Sequence, residues 1–445
     1  MKDMYEEFGP IVRLPGMLNQ PTDTLFLFDP LLAEQVFRMS GPMPVRNGAQ
    51  SILRYRKELR NDFFQDVFGI TVTQKEEWQH FRKIVNKVML KPQVTKQYLA
   101  GINKVAEDFI ERIKDIRNDK NEMPDDFANE LNKWGLESVS FVAVNTRLGC
   151  LGKNLAEDSE PQKIIRAIQE SLRLMYFLNG VPNFSAYYPT RRWREYVKHL
   201  DTIFETIHKI LINTTEEVER NPKGENEEKS IFERLIEIDK KVALVMALDM
   251  IQAGVDTTSA LVSKVLYMLA VNPEKQERLR QELAEFAPDG KITAANQDKL
   301  VYLRACIRET NRIIPVAPGN QRIIEKDTVL GGYQIPKGTS AVLCHMTMSN
   351  MEKYFDNPEE FRPERWLRSD PNWNGNISKF ISLPFGHGAR SCIGRRIAEM
   401  EIETLISQLV TNFDIYWHHE PLQFKTTLLH IPASPLKYKF VDRQK

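Results

Sequence analysis

Cys392 is one of four cysteines in a chain of 445 residues, and it sits in FGHGARSCIG, residues 385–394, among three glycines. A thiolate is a soft metal ligand and a nucleophile, and it persists only where its pKa is lowered. Two local features work in that direction. Gly386, Gly388 and Gly394 permit tight turns that aim backbone N–H groups at the sulfur. The following IGRRIAEME reads as the start of a helix, whose N-terminus favours negative charge. No second ligand adjoins Cys392, so the loop suits a cofactor that brings its own remaining ligands. Haem is such a cofactor, and a Cys axial ligand pushes electron density toward O–O cleavage. Arg390 would then pair with a propionate. His387 is a poor second ligand. Taken alone, the loop reads more plainly as a structural cysteine buried in a glycine-rich turn.

Three other stretches carry residue types at spacings that matter. AGVDTT, residues 253–258, lies inside the long apolar run KVALVMALDMIQAGVDTTSALVSKVLYMLAV. A helix-interior glycine costs about 1 kcal/mol against alanine, and Asp and Thr compete for backbone hydrogen bonds. So many poor formers together mark either a locally strained functional segment or small residues at a helix crossing. ETNR puts Glu309 and Arg312 three apart on one helix face, close enough to pair. The flanking ACIR and IIPV are apolar, so the pair is expected to be partly buried and to need a further partner; Arg365 of FRPERW can supply one. EEWQHFRK places Trp78 and Arg82 at i and i+4, which by itself is core packing with a surface arginine.

These residues need a frame. The composition, 42% apolar and 27% charged, is that of a folded chain able to bury a large core. A net charge of +1 gives no global field for nucleic acid or an anionic membrane. Cys150, Cys306, Cys344 and Cys392 form neither a zinc pattern nor a disulfide framework and read as reduced thiols. The sequons at Asn183, Asn213 and Asn376 read as chance, and no apolar run is long enough to span a bilayer. The first thirty or so residues read as extended, with PIVRLPGM and DTLFLFD as a hairpin. From about Pro30 to Thr310 the period is helical, broken by polar loops at 117–126 and 219–230. After Pro315, TVLGGYQIPKGTSAVL reads as short strands, RRIAEMEIETLISQLV as a last helix and SPLKYKF as a closing strand. Strands from both ends of a mainly α chain argue for one interwoven domain over residues 1–445.

The loop around Cys392 resembles, position by position, the haem-binding signature of the cytochrome P450 family: Phe385, Gly388, Arg390, Cys392 and Gly394 at its spacing. AGVDTT, ETNR with FRPERW, and the Trp78–Arg82 pair follow the family's order. The resemblance implies an α+β fold, a triangular helical prism around a buried haem b, with Cys392 as axial ligand. It implies that Trp78, Arg82, Arg322 and Arg390 contact the propionates, and that Ala253 and Gly254 leave room for O2. Asp256 and Thr257 would relay protons in the distal site. Glu309, Arg312 and Arg365 would form a structural triad.

The implied reaction is monooxygenation of an apolar small molecule, with a haem-thiolate isomerase or dehydratase as the alternative. Arg304, Arg308, Arg395 and Arg396 make a basic edge suited to an acidic partner. The pattern is similar to the mitochondrial branch, most of all to insect members, among them those that clear foreign compounds more than those that make ecdysteroids. That implies electrons from an adrenodoxin-like ferredoxin with its reductase, and a place on the matrix side of the mitochondrial inner membrane, the endoplasmic reticulum being the alternative. The family's N-terminal anchor or transit segment is missing from this chain, which reads as truncated. Phe63, Phe64, Leu172, Met175, Phe177, Met250, Val316 and Leu429 are the expected pocket lining, and residues 175–189 the expected peripheral membrane contact.

Overall fold

The computed structural model describes residues 1–16, 22–153, 155–180, 184–185, 188–224, 227–370 and 378–443. Asn183 and Asn376, and part of the 175–189 stretch, lie outside the described residues. A short helix α1 (Lys2–Phe8) opens the chain. Besides the helices Pro30–Met39 and Pro273–Phe286 and several shorter helical turns come α2 (Lys75–Met89), α3 (Leu99–Ile116), α4 (Phe127–Val144), α5 (Glu160–Gly180), α6 (Arg191–Arg220), α7 (Lys240–Ala270), α8 (Val301–Ile313) and α9 (Arg395–Asn412).

The axis of the molecule is α7. Its 31 residues span about 46 Å at the helical rise. Asp239 caps it, accepting from the Val242 N–H at 2.9 Å. From Val242 to Ala270 most of its side chains are buried, on every face, as for a core helix. Two glycines let α4 approach it. A Cβ on Gly135 would lie 2.7 Å from Ser259 Oγ, and one on Gly254 would lie 2.7 Å from Val139 Cγ2. Ser259 Oγ also donates to Leu131 O across this crossing at 2.9 Å. On another side α9 meets α3, where Gln408 Nε2 donates to Asn103 Oδ1 at 3.0 Å.

The strands are β1 (Ile11–Leu14), β2 (Thr24–Leu27), β3 (Asn320–Ile323), β4 (Thr328–Leu330), β5 (Tyr333–Ile335), β6 (Ser340–Leu343), β7 (Phe413–Tyr416), β8 (Phe424–Thr426), β9 (His430–Pro432) and β10 (Lys439–Asp442). One mixed sheet runs β1-β2-β6-β3. In it β2 lies parallel to β6, with Thr24 opposite Ser340, while the outer pairs are antiparallel. The pairs β4–β5, β8–β9 and β7–β10 are separate antiparallel ribbons.

Two elements differ from the sequence reading. Lys2–Phe8 is a helix rather than extended; its residues are all exposed or half-buried, so no apolar period announces it. The closing strand covers Lys439–Asp442, not the whole of SPLKYKF. Leu436 and Tyr438 in the remainder are buried as irregular chain, with Tyr438 Oη donating to Ser263 O on α7.

Candidate active site

The FGHGARSCIG segment folds back on itself through backbone bonds: Gly386 N–H to Leu383 O at 2.9 Å, Cys392 N–H to Phe385 O at 2.9 Å and Ser391 N–H to Gly388 O at 3.0 Å. Gly386 and Gly388 take φ of +72° and +73°, a left-handed backbone that glycine adopts without strain. The turn presents Cys392 to a cavity of about 590 Å³, and α9 begins three residues later, with Gly394 as its N-cap. The thiol therefore lies deep in the protein yet open to the cavity. Burial pushes it up, and the Gly394 N–H and the Arg82 and Arg46 guanidiniums pull the other way without prevailing. The lowered thiol pKa expected from the glycine loop is thus not supplied by the fold alone. A coordinated metal would supply it, because a coordinating thiol is deprotonated outright.

Around that cavity the structure gathers Trp78, Arg82, Ala253, Gly254, Thr257, Arg322, Phe385, Arg390, Cys392 and Gly394. Gly388 shapes the turn and does not line the cavity. Asp256, on the same helix, is not among the residues that line the cavity, and burial pushes its carboxyl up to about 7. Thr257 Oγ1 donates to Ala253 O at 2.8 Å. Gly254 has a second reason to be glycine. The position its side chain would take is directed at Val139, so close packing of α4 requires the glycine whether or not it also leaves room for a small ligand.

The arginines form a ring. Arg390 donates from Nε to Pro44 O at 2.9 Å and from Nη2 to Thr73 O and Gln74 Oε1 at 2.7 Å, and it lies 4.2 Å over the Trp78 ring. Arg322, on β3, donates from Nη1 to Gln321 O at 2.7 Å and from Nη2 to His387 O at 3.1 Å. Arg390 Nη1, Arg322 Nε and Arg82 Nε remain buried without a hydrogen-bond partner among the described residues. Arg46, which no motif signals, joins them on the cavity wall. Burial and then the neighbouring guanidiniums lower Arg390 to about 9; burial and then Arg46 lower Arg322 to about 10. Mutually repelling cations with unmatched buried donors call for an anion bearing more than one carboxylate, which the paired propionates of haem supply.

Glu309, Arg312 and Arg365 present the opposite condition. Arg312 grips Glu309 with Nε and Nη2 at 2.9 and 2.8 Å, and Arg365 Nε adds a third bond at 3.2 Å. Trp366 Nε1, absent from the sequence reading, donates to Oε2 at 2.8 Å. Arg312 Nη1 and Arg365 Nη2 continue to Ser349 O and Asn357 O.

The basic edge is only partly as expected. Arg304 folds back onto the carbonyls of Leu300 and Gln297 and is half-buried. Arg308 is exposed, lies 3.9 Å over the Trp366 ring and faces the charge of Arg395. Arg395 pairs with Glu399 at 2.8 Å, and Arg396 reaches Leu90 O. Of the expected apolar lining, Leu172, Met175, Met250, Val316 and Leu429 face the cavity. Phe63 and Phe64 instead pack with Phe204, and Phe177 lies under Arg192. His387 packs against Phe37 and Phe380, away from the sulfur's cavity. Glu401 was not foreseen: it lines the cavity, burial pushes it up to about 8, and its Oε1 has no partner among the described residues. A larger open groove of about 1240 Å³ beside α1 shares Gly319 with the cavity and reaches Tyr176, but none of the expected haem-contacting or proton-relay residues lines it.

A thiol and a ring of unmatched guanidiniums on one cavity fit a dianionic, metal-bearing cofactor, which points to a haem-thiolate class of protein. Comparison with known proteins is more specific. The cytochrome P450 family model matches residues 1–440, and the chain belongs to that family. It is accordingly a P450 monooxygenase that uses haem b. The chain is 37% identical over 442 residues to the probable cytochrome P450 301a1, mitochondrial, of Drosophila melanogaster, covering 98% of this chain and 80% of the relative. It is also 37% identical to the probable cytochrome P450 12b2, mitochondrial, of the same fly, covering 98% and 83%, and to cytochrome P450 CYP12A2 of Musca domestica, covering 98% and 84%.

Proposed function

We propose that the chain acts as one haem-thiolate unit that inserts an oxygen atom from O2 into an apolar small molecule, with electrons from a ferredoxin. The carrying observation is the meeting, on one cavity, of the Cys392 thiol with the unmatched donors of Arg82, Arg322 and Arg390. Cys392 Sγ would bind the haem iron. Trp78, Arg82, Arg322 and Arg390, with Arg46, would hold the propionates. Haem, when bound, supplies the activation of O2. The protein's part is to orient, to exclude water and to deliver protons. Asp256, raised by burial to about 7, can both take up and give up a proton near neutral pH. Thr257 Oγ1, fixed by its bond to Ala253 O, passes that proton into the cavity through water. Glu309, Arg312 and Arg365 brace the scaffold.

Met250, Met175, Leu172, Val316 and Leu429 favour an apolar substrate of foreign-compound or steroid-like character, and Gln252 offers one polar anchor among them. For the ferredoxin, the charge of exposed Arg308, Arg395 and Arg396 supports docking at the start of α9, with Arg304 behind them. The two fly relatives' mitochondrial names support a matrix location at the inner membrane. Exposed Phe184 and Tyr188, before the basic start of α6, support a peripheral membrane contact.

The test is the absorption spectrum of the haem-loaded protein, reduced and exposed to carbon monoxide. A strongly red-shifted Soret band that Cys392→Ala abolishes is the expected result; an unshifted band, or one that survives the substitution, overturns the reading.

A further inference from the structure

One buried ion pair at the cavity wall has no part in the assignments above. Asp249 sits on α7 one turn before Ala253 and lines the cavity. Its Oδ1 accepts from Arg56 Nη2 at 2.6 Å, and its Oδ2 accepts the backbone N–H of Ile70 at 2.9 Å. Arg56 Nη1 donates to Phe68 O at 2.6 Å, and the guanidinium lies 4.8 Å over the Phe64 ring. Both side chains are 2% exposed.

Local backbone makes this closure possible. Arg56 lies in a π-helical turn, Tyr55–Leu59, a wide coil that is rare and recurs at functional sites. Gly69 takes φ of +94°, and a Cβ there would stand 2.5 Å from Arg56 Nη1 and 2.6 Å from Asp249 Oδ2. Only a residue without a side chain lets the chain pass over the pair.

The segment so fastened, residues 49–71, gives Ala49, Ile52, Ile70 and Thr71 to the cavity wall. Its other edge is tied to α5 and α6, by the Ser51 N–H to Asn179 Oδ1 at 3.1 Å and Tyr55 Oη to Asp201 Oδ1 at 2.8 Å. Arg56 and Asp249 therefore set how far this wall stands from α7. A buried pair contributes little net stability against an apolar pair of the same volume, but its bonds have direction. Here they run to two backbone groups of the wall itself, Phe68 O and the Ile70 N–H.

We propose that Arg56 and Asp249 are positioning residues: the pair clasps the 49–71 wall to α7 and thereby determines which substrates fit. The proposal rests on the reading of this cavity as the haem and substrate site. Asp249→Asn keeps an acceptor for the Ile70 N–H and removes the charge that holds Arg56. The haem-loaded variant is compared with the parent in three ways: the reduced carbon monoxide spectrum, Soret titrations with apolar ligands of graded size, and amide exchange across residues 66–72.

The expected result is an unchanged spectrum and haem content, faster exchange at Ile70, and about tenfold loss of discrimination between small and large ligands. Parental exchange and parental size discrimination overturn the proposal, and so does haem loss in proportion to the affinity change. Should Asp249→Asn fail to fold, Arg56→Met with Asp249→Leu leaves no unpaired charge and is judged by the same readouts; haem loss there also overturns it. If the parent itself gives no red-shifted band, the functional reading fails, while the exchange data still judge the clasp.

Discussion

Glu309 and the arginine ring are both buried charge, and they are built in opposite ways. Glu309 receives donors from Arg312, Arg365 and Trp366, and the arginines' remaining nitrogens reach the carbonyls of Ser349 and Asn357. In the ring, Arg46, Arg82, Arg322 and Arg390 face one another, and among the described residues no carboxylate pairs with them and donors on three of them have no partner. A network closed on itself holds chain to chain. One left open in the same protein holds a place for a ligand, because burial of unmatched donors costs free energy that only binding returns.

The largest effect should come from opening the closed network. Glu309→Gln keeps the shape and strands Arg312 and Arg365, so stability should drop by about 3–5 kcal/mol in chemical unfolding. A loss below about 1 kcal/mol would erase the contrast, being what exposed pairs give. Next comes the converse experiment on the ligand. Haem whose propionates are esterified should bind more weakly by about 1.5–3 kcal/mol for each charged hydrogen bond removed, as read by transfer to a scavenging protein; equal affinity would mean that the ring has another purpose. A smaller, diagnostic effect belongs to Arg82→Met. It should hasten haem transfer yet leave the haem-depleted protein no less stable, since it removes repulsion from the ring; a drop in that stability would put Arg82 in the same category as Arg312.

Asp256 supplies the smallest and sharpest test, as a half-buried carboxyl with neither arrangement. Its raised pKa means that it is protonated below about 7 and ionised above. Product formed per electron should therefore fall severalfold as pH rises through 7, and Asp256→Asn should flatten that profile. A parent profile that is already flat would remove Asp256 from proton delivery. Folding stability follows the same sign: the folded state binds the extra proton between the ordinary carboxylate range and about 7, so this group's contribution declines as pH rises across that window.

Legibility in the sequence tracked distance along the chain. The cysteine loop, Trp78 with Arg82, and Glu309 with Arg312 each fit within one or two turns, so spacing alone exposes them. The long helical stretch and the short strands after Pro315 show through their periods. Arg46 and the Arg56–Asp249 pair do not show, because their partners are brought by folding from far along the chain and each residue alone is an ordinary charge. Gly254 is half legible for a related reason: a glycine announces close approach but not by what, and one approaching atom is on Val139 of α4. Arg304 was misjudged because helix spacing places a side chain on an edge without telling that nearby carbonyls draw it back.

The parallel pairing of β2 with β6 bears on how the molecule is made. Thr24 finds its neighbour at Ser340, roughly 300 residues later. At about 5–20 residues per second of synthesis, the first hairpin leaves the ribosome on the order of 15–60 s before the strand that completes its sheet exists. During that interval β2 presents an open edge with Leu25 and Leu27, which are buried in the finished sheet, exposed to any other nascent strand. Yield in a cell should thus depend on holding chaperones that act on the amino-terminal hairpin, and slowing translation upstream of Ser340 should lower it.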